Sequence, residues 1–160
     1  MTGQFPDMFH YNNEKYELVG VEGEKLYNPK EHGLDPQFRC TACRRGYVLT
    51  YLINENQLTL DDILINLNEE TDINGVKPAK PDELGSPFMY QYKNVKMKID
   101  FTGKLLLGKD IVPGLYEHMG FQKANTYKKV IELTFKKGIL ESTKDISKKM
   151  EEERKKNSKK

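Results

Sequence analysis

The 160-residue chain has no tryptophan, two cysteines and three histidines, so metal and nucleophilic chemistry would have to be built from very few side chains. A structural zinc site takes four thiolate or imidazole ligands, usually as two closely spaced pairs. Here Cys40 and Cys43 form one such pair, but His10, His32 and His118 stand singly and supply no second. No metal and no cofactor is expected. The Cys40-x-x-Cys43 spacing also lacks the strand before it and the helix after it that mark redox dithiols. Arg39, Arg44 and Arg45 would favour a thiolate, yet the plainer reading is two reduced cysteines in a connector. Serine is scarce as well. Ser86, Ser142, Ser147 and Ser158 lie in loops and the tail, and none sits in a GxSxG elbow.

Long apolar runs are missing too. The longest, Tyr47 to Ile53, is far below the roughly 20 residues that span a bilayer. The opening residues carry neither the basic start nor the continuous apolar stretch of a secretory signal, so the expected location is cytoplasmic, with no membrane partner. Charge is almost balanced at +2, but residues 144–160 hold eight basic and four acidic side chains, leaving the rest of the chain slightly acidic. A nucleic-acid binder concentrates its basic excess on a folded face, so nucleic acid is an unfavoured partner. Tyr90 and Tyr92 interleave with Lys93, Lys96 and Lys98, the composition of a single-strand platform, but a solvated outer sheet face explains the lysines equally well.

What is present is mainly strand signal. Val95, Met97, Ile99 and Phe101 alternate with Lys96, Lys98 and Asp100, a period of two with one face toward a core. Tyr127, Ile131, Leu133 and Phe135 line one face of a second strand, and Lys136-Lys137-Gly138 turns the chain back. Tyr47 to Ile53, apolar on both faces, predicts a central strand followed by a turn at Asn54-Glu55-Asn56. The return strand changes parity at Asp61-Asp62, which predicts a β-bulge. Asn28, Pro29, Glu31 and Gly33 spell a short capped helix, and Asp110 with Ile111, Leu115, Met119 and Gly120 a second.

An offset of about 80 that drifts to 82 lays Tyr16 to Leu58 on Val95 to Leu140, matching Gly23 to Gly103 and Leu26 to Leu106. The expected architecture is therefore mainly β, of the α+β type. It is a single-domain β-sandwich or flattened barrel over residues 1–143, built from two similar strand-helix-hairpin halves at about 14–67 and 88–143. A loop at 68–87 joins the halves, short helices connect their strands, and a charged C-terminal helix occupies 144–160, solvated rather than docked.

Gly103 to Asp110 nearly spells a phosphate loop, but Asp110 stands where a hydroxyl is needed, and Leu105 to Leu107 read as strand. Glu117-His118 and Glu31-His32 are weak acid–base pairs, since helical neighbours point about 100° apart. Arg44 and Arg45 beside Tyr47 are a better binding set, because guanidinium groups hold phosphate or carboxylate. The leading expectation is a non-enzymatic module recognising another protein or a second copy of itself. The alternative is a small-molecule or enzymatic site in the cleft between the halves, lined by Arg44, Arg45, Tyr47 and His118, for a small anionic ligand.

Overall fold

Three two-residue turns set up most of the sheet. In the computed structural model, which describes residues 4–39, 41–115 and 122–158, Asn12-Asn13, Glu55-Asn56 and Lys137-Gly138 all have positive φ. Paired left-handed residues match the right-handed twist of flanking strands, so each closes a tight hairpin. They join β1 (Met8–Tyr11) to β2 (Glu14–Gly23), β3 (Tyr47–Asn54) to β4 (Gln57–Ile65), and β8 (Tyr127–Lys136) to β9 (Ile139–Asp145). Between the last two hairpins run β5 (Tyr90–Tyr92), β6 (Met97–Lys98) and β7 (Gly103–Ile111). A single α-helix, α1 (Ser147–Ser158), follows.

The fold is mainly β, one nine-stranded sheet with a C-terminal helix. Strands β1, β2, β7, β8, β9, β4 and β3 pair in turn, and β3 returns to β1. A closed circuit with an odd number of strands needs a parallel junction, and β1–β3 supplies it; the other junctions are antiparallel. Its weakest seam joins β4 to β9 through Gln57 and Ile139. Side chains from the strands of the circuit meet in one core, including Phe9, Tyr16, Leu49, Tyr51, Leu58, Leu105 and Phe135, with Leu140 of β9 packed against it. The Asp61 bulge is present, because Thr50 faces Asp62 while Tyr51 faces Leu60. Asn28 caps the first short helix through its side chain, with Pro29 inside and Gly33 closing in the left-handed region.

Several expectations need correction. The apolar face of residues 95–101 is real, with Val95, Ile99 and Phe101 buried, but only Met97–Lys98 is strand. Asn94 and Lys96 take positive φ and break the extended backbone. Tyr127 does not share a face with Ile131. It packs with Val130, Ile146 and Met150 on the outside of the sheet, its ring against Gly108, where a Cβ would stand 2.7 Å away. Asp110 caps no helix; it lies in β7 with φ 61°, and residues 116–121 of the expected second helix, His118 included, lie outside the described residues. The offset-80 alignment places β2 over a segment with a two-residue strand, and β7 over coil and the first short helix, so the two segments do not match element for element. Gly23 and Gly103 instead face each other across the β2–β7 ladder.

The C-terminal helix is docked rather than solvated along its whole length. Ile146 and Met150 are buried, and Arg154, on the same side of the helix, donates from Nη1 to the carbonyls of Asn125 and Tyr127, both at 2.9 Å. Apolar periodicity cannot reveal such an anchor, because a guanidinium holds on by hydrogen bonds. Truncation after Met150 is expected to lower Tm by about 3–6 °C, equivalent to about 1–2 kcal/mol, and Arg154→Ala alone should reproduce most of that loss. A thermal melt unchanged within about a degree would show that Arg154 anchors nothing.

Candidate functional site

The segment before β1 leaves the sheet early, and that departure creates the most distinctive surface feature. Strand β2 is ten residues long, while β1 is four and covers only Glu14 to Glu17 of it. One further bond continues the pairing, from the Leu18 N–H to the Asp7 carbonyl at 2.8 Å. Phe5 then turns away and donates its N–H to Ala42 instead, also at 2.8 Å. Gln4 fastens the diverted chain with a bond to the Thr41 carbonyl and another from the Arg44 N–H.

Asp7 is the pivot. Its carboxylate accepts both terminal nitrogens of Arg45 and, at 2.8 Å, the Leu49 N–H. The Arg45 guanidinium in turn lies 4.6 Å from the centre of the Tyr47 ring. Burial opposes the charge on Arg45, but the paired Asp7 carboxylate outweighs it and holds the group above its usual range. Asp7 thus ties the diverted N-terminal segment to the start of β3.

A groove of about 490 Å³ lies where the strand lane empties. It is lined by Phe5 and Pro6, by Leu18 to Val21 of β2, and by Ile111 and Tyr127. At Val19 the β2–β7 register shifts, since Leu18 faces Leu107 while Gly20 faces Leu106. This bulge turns Val19 toward the outer cluster around Tyr127. The ionisable groups of the groove are matched: Arg45 with Asp7, and the Tyr127 hydroxyl with Glu17. Phe5 and Val21 remain 39% and 49% exposed, large apolar surface beside these bonded groups.

Of the described residues expected to bind a ligand, Arg45 alone lines this groove. Tyr47 lies half-buried beneath its guanidinium, and Arg44 is exposed, using its backbone N–H on Gln4. His118 lies outside the described residues, as does Cys40. Cys43 is buried, its thiol donating to the Tyr47 carbonyl at 3.4 Å. Among the described residues no group of three His, Cys, Asp or Glu side chains is arranged to hold a metal ion. The near phosphate loop is strand β7, with Leu105 and Leu107 in the core and Lys109 bonded to Glu14. Of the tyrosines interleaved with lysines, Tyr92 is fully buried and Tyr90 half-buried, and Lys93 pairs with Asp82.

A second polar knot lies at the opposite end of β2. Glu14 accepts from the Tyr16 hydroxyl at 2.7 Å and from Lys109 and Lys129 at 3.2 and 3.4 Å. Those bonds hold its carboxyl down at about 2. The two lysines face each other across β7 and β8, and Glu14 between them relieves a like-charge pair.

No protein-family model, curated protein or solved structure matches this chain. Its site is therefore read from its own geometry. No described helix is long and apolar enough to cross a membrane. Phe5, Asp7 and the β2 edge were not singled out by sequence reasoning. The one available signal was a four-residue strand hairpinned to a ten-residue one.

Proposed function

We propose that this chain is a non-enzymatic module that recognises another protein, with the groove beside β2 as its contact surface. The observation that carries this reading is the combination of exposed Phe5 and Val21 with the internal Arg45–Asp7 ion pair in the groove. Interfaces gain most from buried aromatic and aliphatic anchors, whereas a charge that loses water without a partner weakens them. Arg45 and Asp7 enter a contact as an ion pair, and Glu17 enters it with a hydrogen bond from the Tyr127 hydroxyl, its negative charge left for the partner to match. A small anionic ligand would instead have to compete with Asp7 for Arg45, which disfavours that alternative.

The test is a tagged pull-down read by mass spectrometry, with Val21→Glu as the groove variant and Glu152→Ala on the helix as the control. Val21→Glu is expected to reduce a specific co-purifying protein at least about tenfold, as loss of about 1.4 kcal/mol would do. Identical recovery on both variants would remove the groove from the interaction.

A further inference from the structure

We infer that the groove takes its partner by strand addition: an extended, basic segment of another protein lies along β2 from Val19 to Gly23, in the lane that β1 vacates. This rests on the groove being the contact surface.

The backbone parity decides which groups are on offer. Glu24 donates its N–H to Thr102 at 3.0 Å, across the same pair of chain segments as the β2–β7 ladder. In an antiparallel ladder that orientation alternates, so Gly20 and Glu22 also face β7, while Val21 and Gly23 turn their N–H and C=O the other way. Among the described residues no strand or loop backbone pairs with those outward groups. An unpaired edge is a template for another strand unless a bulge, charge or covering loop blocks it. Here the bulge sits at Val19, the first residue of the free stretch, and leaves Gly20 to Gly23 in regular register, while the segment able to cover the stretch, Gln4 to Asp7, is bonded to the Thr41–Arg45 turn instead. Five residues at about 3.4 Å each make a lane of about 17 Å, room for a short extended segment.

The charge around the lane selects the occupant. Arg45 is matched by Asp7, so the carboxylates of Glu17, in the groove, and Glu22, on the free stretch, set its sign. Glu22 is exposed, and no ion pair reaches it among the described residues. A segment alternating apolar and basic residues places its apolar side chains against the groove and its cations beside Glu22. An acidic segment meets like charge.

Three synthetic hexapeptides test this by titration into the 15N-labelled full chain. They are alternating lysine and valine, the same peptide N-methylated at every second residue, and alternating glutamate and valine. The lysine peptide is expected to shift and protect the Val21 and Gly23 amides saturably. The glutamate peptide should bind at least about tenfold more weakly, and Glu22→Lys should reverse that order. N-methylation should abolish binding, because it removes backbone donors and leaves the side chains in place. Equal binding of the N-methylated peptide with shifts at Phe5 and Val19 would overturn strand addition while leaving the groove as the contact surface. Absence of binding, or shifts confined to other surfaces, would also overturn strand addition. In that case the pull-down with Val21→Glu judges the groove separately.

Discussion

Replacing Phe101 with alanine is expected to destabilise the fold by about 3–5 kcal/mol, and to loosen the β3–β4 and β8–β9 hairpins together. Phe101 is fully buried and meets Phe135 edge-on, with ring centres 6.2 Å apart. Its carbonyl accepts the Gly138 N–H of the β8–β9 turn at 2.8 Å. Next to it, Ile99 donates to Leu58 of β4, and Leu58 donates to Gly138. Residues 99–101 therefore stitch the seam where β4 and β9 share a single residue pair. A large cavity there falls at a seam with only a single residue pair across it to absorb the loss. Urea denaturation should remain a single transition with a lowered midpoint, and hydrogen exchange should show amides near Leu49 and Leu133 losing protection in parallel. If the first hairpin stays fully protected while the second opens, the single shared core is refuted.

Removing the Asp7 carboxylate should have the second-largest effect. In Asp7→Ala, Arg45 keeps its charge but loses the Asp7 carboxylate, and the Leu49 N–H loses its acceptor. Breaking a buried ion pair from one side costs about 3–5 kcal/mol. With the two side chains still 26% and 14% exposed, about 2–4 kcal/mol is expected. Asp7→Asn keeps an acceptor for Leu49 and should cost less. The double change Asp7→Ala with Arg45→Met should recover part of the loss, because the charge that Asp7 balanced is gone. A cost below about 1 kcal/mol for Asp7→Ala in urea denaturation would mean that the pair behaves as an ordinary solvated bridge.

Much of the sheet was legible because its signals are local. The Asn54-Glu55-Asn56 turn, the Asp61 bulge and the Asn28–Gly33 cap each depend on neighbours within a few residues. Alternation identified Val95, Ile99 and Phe101 as core, but could not show that Asn94 and Lys96 would interrupt the strand. Tyr127 was misassigned for a related reason: period two gives its parity with Ile131, while the packing that turns its ring onto Gly108 depends on β7 and α1. The groove was hardest to foresee. It exists because Asp7 reaches Arg45, thirty-eight positions away, and because Phe5 bonds to Ala42 rather than to β2. Nothing in residues 4–7 alone marks where their hydrogen bonds go, and Arg45 looked like an open anion binder only while its internal partner was hidden.

The contact surface itself is tested most directly by a photo-crosslinking amino acid, p-benzoylphenylalanine, placed in cells at Phe5 in the groove or at Phe38, which is 60% exposed and outside it. Both positions already carry an exposed aromatic ring, so the substitution is mild at each. Irradiation is expected to give a discrete crosslinked protein species from position 5 and none from position 38. The same species from both positions, or a species from position 38 alone, would contradict the groove as the surface that meets another protein.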